Sequence, residues 1–235
     1  MVAPFKSKDK VLVLDFDHTL YDTDAFVWFE LRRPMIERFK LSVGIWEKSY
    51  KRASEIGYTL EQQFKELTDI LGVPPCEFTE MEALGQKVDF DRYLFPDVVP
   101  FIKEAREKNY KIMILSFGAV SWQKTKIEKI GLARMADKIE YVIQNEAQEK
   151  ASAIEKFAAE SERGIFVDNK GSNLDGVYKA LPEVETYLIS RVPNDEIFKG
   201  NNHKVYKEYV EARRKKESQA LSVHRRCHTL EEIIL

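Results

Sequence analysis

The chain has 235 residues, enough for one large domain or for a core with a smaller insert, and its 44% hydrophobic and 32% charged content is that of an ordinary globular protein. A formal net charge of −2 leaves no whole-chain electrostatic footprint for nucleic acid, and no apolar run reaches membrane-spanning length. The two cysteines, Cys76 and Cys227, lie far apart without CxxC spacing, which argues against a disulfide framework or zinc site and makes a reducing cytoplasm the expected compartment.

Met1 to Lys10 carries three lysines but no following hydrophobic stretch free of acids, so it does not read as a secretory signal. Val11 to Leu14 is a short apolar run without polar alternation, which predicts a strand buried on both faces of a parallel sheet. From Asp22 to about Arg92 the periodicity turns helical. Helices are predicted over Ala25–Lys40 with a break near Pro34, over Val43–Ile56, over Leu60–Leu71, and from Glu77 or Thr79 onward. Gly57, Gly72, Pro74 and Pro75 punctuate them.

Strands and helices then alternate. Helices are expected at Asp97–Lys108, Ser121–Ile130, Glu149–Ala159 and Val177–Leu181, and strands at Lys111–Leu115, Ile139–Ile143, Gly164–Val167 and Thr186–Ile189. This pattern predicts an α/β fold: a Rossmann-like three-layer sandwich around a central parallel sheet, with a small all-helical cap domain inserted after the first strand. The expected boundaries are 1–22 and 92–235 for the core and 23–91 for the cap, a size suited to a small domain. Asn202–Gln219 reads as a charged helix whose cluster Arg213 to Lys216 is a solvated face. Leu221–Val223 is expected as an edge strand and Thr229–Leu235 as a closing turn of helix.

The residues that suggest chemistry sit at predicted strand ends, where open α/β sheets place their sites. Asp15 and Asp17 follow the first strand, and two carboxylates so close repel unless a cation lies between them. Oxygen-rich sites of that kind suit Mg²⁺. Ser116 and Phe117 close the second strand, where a hydroxyl and freed N–H groups can donate to phosphate oxygens. Lys150 opens the helix after the third strand, with Lys138 and Lys156 as competing point charges. Asp168 closes the fourth strand and is followed by Asn169 and Asn173. Asp175 is expected to point away on the next helix.

The string Asp15-Phe16-Asp17-His18-Thr19-Leu20 after a hydrophobic strand resembles the first motif of the haloacid dehalogenase superfamily, with His18 where Gly or Asn is more frequent. Ser116 resembles its second motif, Lys150 its third (with Ala151 in place of a common proline), and Asp168 to Asn173 its fourth, with Asn169 and Asn173 where acids are frequent. The four follow one another in family order.

The resemblance implies a Mg²⁺-dependent phosphatase acting on a small-molecule phosphate monoester through an aspartyl-phosphate. Asp15 would be the nucleophile and Asp17 the general acid and base. Asp15, Asp17 (partly through its carbonyl) and Asp168 would ligate metal, Ser116, Phe117 and Lys150 would bind phosphate, and Asn169 and Asn173 would support the site. The acid at Asp17 favours phosphoryl chemistry, since a departing halide needs no proton. His18, Trp28, Arg32, and beyond them Phe29 and Arg33, are candidate substrate contacts. A phosphotransferase or mutase, or a non-catalytic phosphometabolite-binding module, is the alternative. No GxxxxGK[ST] loop is present, which argues against a P-loop kinase.

Overall fold

A computed structural model describes residues 10–55, 57–143, 146–158, 161–192 and 203–235. Most of Met1–Lys10 and the predicted helix ends at Ile56, Ala159 and Asn202 lie outside the described residues.

The first strand, β1 (Lys10–Asp15), is followed by α1 (Thr23–Phe26), a π-helical turn (Val27–Arg32), α2 (Arg33–Phe39), α3 (Val43–Glu55), α4 (Leu60–Leu71) and α5 (Phe78–Gln86). The alternating part then runs α6 (Val98–Glu107), β2 (Tyr110–Phe117), α7 (Val120–Lys129), β3 (Lys138–Val142), α8 (Glu146–Ala158), β4 (Arg163–Asp168), α9 (Gly171–Ala180) and β5 (Glu185–Ile189). The chain ends with α10 (His203–Glu217) and β6 (Arg225–Cys227). The six strands form one parallel sheet in the order β3-β2-β1-β4-β5-β6.

Alternate residues of each strand face opposite sides, and the core divides accordingly. Leu12, Leu14, Ile112, Ile114, Ile165 and Val167 pack with α6, α7 and α10 on one face, in a cluster that runs on into Phe26, Trp46, Leu67 and Met81 of the helical stretch. Val13, Met113, Leu115 and Phe166 pack against α8 and α9 on the other. These are the three layers the β/α alternation predicted. Among the described residues no helix is long and apolar enough to cross a membrane.

Three local expectations change. The helix Ala25–Lys40 does not break at Pro34; helical backbone continues from Thr23 to Phe39, and Pro34 sits in the first turn of α2, directly after the π turn. There the widened ladder has no need of the N–H that proline lacks. Helix α9 begins at Gly171 rather than near Val177, so it carries Asn173 and Asp175. The edge strand is not at Leu221–Val223: those side chains lie 99% and 96% exposed, and β6 forms at Arg225–Cys227. The amides of Leu221 and Ser222 donate to the Asp175 carboxylate (2.8 and 2.7 Å), which holds this stretch as a loop.

Candidate active site

The strand order reverses direction between β1 and β4, so their carboxyl ends border the crevice where such sheets bind ligands. Asp15 ends β1 and Asp168 ends β4. After Asp15 the chain turns sharply: Leu20 N and Tyr21 N both donate to Phe16 O (2.9 and 3.1 Å), and His18 takes a left-handed φ of 64°.

Helix α8 begins three residues earlier than its periodicity suggested, and this brings Glu146 and Lys150 into the site one turn apart. The Lys150 ammonium is fully buried, with its Nζ 2.6 Å from Asp15 Oδ1, 2.7 Å from Asp168 Oδ2 and 3.0 Å from Glu146 Oε1. Burial alone would lower its pKa, but Asp15, Asp168 and Glu146 outweigh that and hold it well above the usual lysine value. Burial, then the charge of Asp168, pushes the Asp15 carboxyl up against the opposing pull of Lys150. Glu146 is also buried, yet Lys150 and Lys170 bring its pKa to about 2. The competing lysines are elsewhere: Lys138 pairs with Glu140 at 2.9 Å on the surface and Lys156 is exposed.

The Asp17 side chain is held on different partners. Its Oδ1 accepts from Lys126 Nζ (2.5 Å) and from the Thr23 hydroxyl, and its Oδ2 accepts from Gln123 Nε2 (2.7 Å), which also reaches Phe117 O at 2.6 Å. Lys126 is 2% exposed, and its ammonium lies 5.0 Å from the Phe16 ring centroid and 5.6 Å from that of Tyr21. Sequence reasoning missed Lys126, Gln123, Thr23, Glu146 and Lys170. The signal for two of them was present: Gln123 and Lys126 fall three apart on the same buried face of α7 as Ile127.

The remaining predicted residues divide. Ser116 lies inside β2 rather than after it, fully buried, with no hydrogen-bond partner for its Oγ among the described residues. The turn Phe117–Ala119 lines a cavity of about 330 Å³ together with Asp15, Asp17 and Lys126. Asn173 Nδ2 donates to Glu146 Oε1 (2.8 Å) and Asp168 Oδ2 (3.0 Å), which supports both carboxylates. Asn169 instead reaches Glu217 Oε2 of α10 at 3.0 Å. His18 lines the main cavity and also a second of about 230 Å³, which Trp28 and Arg32 line as well. Phe29 packs on Tyr206 (6.1 Å between centroids), and the Arg33 side chain is exposed and paired with Glu37; neither lines these cavities, because both fall on other faces of the helical stretch.

Among the described residues no three His, Cys, Asp or Glu side chains are arranged as a metal cage. The Asp17 carboxylate is taken up by Lys126, Gln123 and Thr23, so only its main-chain carbonyl remains to serve a cation. What the strand ends do offer is a pair of hard carboxylates, Asp15 and Asp168, on a single ammonium. That set fits Mg²⁺, which keeps most of its waters and takes one or two carboxylates beside a substrate phosphate.

A family model described as haloacid dehalogenase-like hydrolase matches residues 10–176. A search of curated proteins finds no match. Among solved structures, one from Burkholderia xenovorans LB400, provisionally described as a haloacid dehalogenase-like hydrolase, has 20% identity and a TM-score of 0.69, over 97% of this chain and 100% of that one. The L-2-haloacid dehalogenase of Xanthobacter autotrophicus has 19% identity and a TM-score of 0.61, over 94% and 95%. YfnB of Bacillus subtilis, provisionally described as a HAD-hydrolase and bound to magnesium, has 16% identity and a TM-score of 0.55, over 78% and 89%. These likenesses establish the fold, and the family model covers well over half of the chain: it belongs to the haloacid dehalogenase-like hydrolases.

Proposed function

We propose that the protein hydrolyses a small-molecule phosphate monoester, with Asp15 as nucleophile and Asp17 as general acid and base. The observation that carries this reading is that two carboxylates line one cavity while each is held by its own buried lysine. Asp15 attacks phosphorus; the new O–P bond forms as the ester P–O bond breaks, giving an aspartyl-phosphate and an alcohol whose proton comes from Asp17. Asp17 then takes a proton from water, which cleaves the intermediate to inorganic phosphate. Lys150 and the N–H groups of the turn after Phe117 hold the anionic oxygens. Mg²⁺, held by Asp15, Asp168 and the Asp17 carbonyl, would supply further positive charge to the phosphoryl group; one of the structural neighbours is bound to magnesium. Helices α1 to α5 would act as a cap that excludes bulk water. The unpaired Cys76 and Cys227 suit a reducing, cytoplasmic setting.

A second reading, carbon–halogen hydrolysis, is favoured by one observation. The Asp17 carboxylate is engaged as an acceptor by Lys126, Gln123 and Thr23, and a leaving halide needs no proton donor. Release of phosphate from a panel of metabolite phosphoesters with and without Mg²⁺, beside chloride release from 2-chloropropionate, decides between them. The expectation is Mg²⁺-stimulated phosphate release, lost in Asp15→Asn and slowed about 10²–10⁴-fold in Asp17→Asn. Undiminished phosphate release by Asp15→Asn would overturn the mechanism.

A further inference from the structure

The second cavity adjoins the first. The two share His18, Thr23, Val27, Tyr50 and Ser54, so a ligand with its phosphate at Asp15 can extend into the second lobe. The far wall of that lobe is made by Trp28 and Arg32 of the π turn and by Trp46 and Glu47 of α3. The Arg32 guanidinium lies 4.0 Å over the Trp28 ring, which fixes its plane.

Two donors on this wall are buried without an acceptor among the described residues: Arg32 Nε and Trp46 Nε1. Trp46 is 3% exposed. Among the described residues Arg32 pairs with the carboxylate of Glu47, at 3.6 Å from Nη2, beyond hydrogen-bond distance and with its side chain 57% exposed, an ion pair worth little. The other acid in the lobe, Asp24, faces His18 Nδ1 at 3.5 Å and Arg214 Nε at 3.6 Å instead. No lining residue of this lobe has a buried acceptor left unmatched among the described residues. The unmet demand is therefore for acceptor oxygens, and a planar guanidinium with a neighbouring indole N–H is best met by a carboxylate.

We propose that this lobe receives the non-phosphoryl end of the substrate and that this end bears a carboxylate, which makes the substrate a phosphorylated hydroxy acid. The inference rests on the phosphatase reading and names the substrate class for that same site. Arg32 supplies the charge and the planar fork, Trp28 fixes the orientation of that fork, and Trp46 adds a second hydrogen bond.

The test compares 2-phosphoglycolate with ethyl phosphate, which lacks the carboxylate, in wild type, Arg32→Lys, Arg32→Met and Trp46→Phe. Wild type should favour the carboxylated ester at least about tenfold in kcat/KM, and the ratio should fall towards one in Arg32→Met. Arg32→Lys keeps the charge without the fork and should retain part of the preference, and Trp46→Phe should lose a few-fold of it. A wild-type ratio near one, or an unchanged ratio in Arg32→Met, overturns the proposal. Calorimetric titration with phosphonoacetate and with ethylphosphonate gives the same comparison without turnover. Tighter phosphonoacetate binding that weakens in Arg32→Met supports the carboxylate lobe even if no phosphoester is hydrolysed. Equal or absent binding of the two sinks it whatever the activity.

Discussion

In the proposed mechanism, Lys126 is the side chain on which the division of labour between the two aspartates depends. Its ammonium is buried against Phe16 and Tyr21 and touches Asp17 but not Asp15, whereas Lys150 does the reverse. Lys126→Met keeps a chain of similar length among those rings and leaves Asp17 with Thr23, Gln123 and some solvent, since 22% of its side chain is exposed. Stability should change by less than about 1.5 kcal/mol, while kcat falls about 10–100-fold and KM moves little, as steady-state kinetics on the best ester of the panel would read. The carboxylate pair carries a separate prediction. If Asp15 and Asp168 hold Mg²⁺, millimolar Mg²⁺ added to chelator-treated protein should raise its melting temperature, and Asp168→Asn should abolish that rise. Asp15, Asp17 and Asp168 stood out in the sequence because each follows or ends an apolar strand, whereas Ser116 lies inside β2 and outside the cavity lining. Lys126, Gln123 and Glu146 could not be found that way. They reach the aspartates from residues far along the chain, and only folding brings them there.

At the scale of elements, the parallel sheet and most helices follow from local apolar periodicity, and their predicted and observed bounds differ by a few residues at most. The exceptions have physical causes. The π turn depends on how Val27–Arg32 packs, which no periodicity encodes, and the start of α9 was obscured by Ser172, Asn173 and Gly176, all weak helix formers. Where elements meet, two glycines make a matched test. Gly57 follows α3 at φ 97°, and a Cβ there would stand 2.9 Å from Ala119 N, in the turn that lines the main cavity. Gly72 ends α4 at φ 76° with nothing within 4 Å. Gly72→Ala should cost about 1 kcal/mol of backbone strain and leave turnover alone. Gly57→Ala should cost about 2–3 kcal/mol and also depress kcat/KM, because the Phe117–Ala119 turn must move. Urea denaturation and kinetics on the two variants give both quantities, and equal effects would remove the claim that this close approach positions the turn.

For the molecule as a whole, the C-terminal segment closes the fold over the far edge of the sheet, and one chain of polar contacts fastens it there. Asp175 on α9 accepts from Leu221 N, Ser222 N and the His224 ring (3.0 Å), and the opposite ring nitrogen of His224 lies 2.7 Å from Thr186 Oγ1 on β5. The expectation that Asp175 points away from the site holds, and the same placement explains why Leu221–Val223 cannot add to the sheet: its amides are already engaged. Burial opposes ionisation of Asp175, but the hydrogen bonds from Leu221, Ser222 and His224 outweigh it and hold its carboxyl below the usual range. A carboxyl depressed in the folded state binds protons more readily in the unfolded chain. Its contribution is therefore complete above the ordinary aspartate value of about 4 and is lost as pH falls through the lower folded value. Asp175→Asn retains one acceptor oxygen and should lower stability at neutral pH by about 1–2 kcal/mol. The gap between wild type and variant, read from urea midpoints by tryptophan fluorescence, should stay constant from about pH 7 to 5 and close towards about pH 3. A gap that persists unchanged at the acid end would mean that the carboxylate's charge is not what anchors the segment.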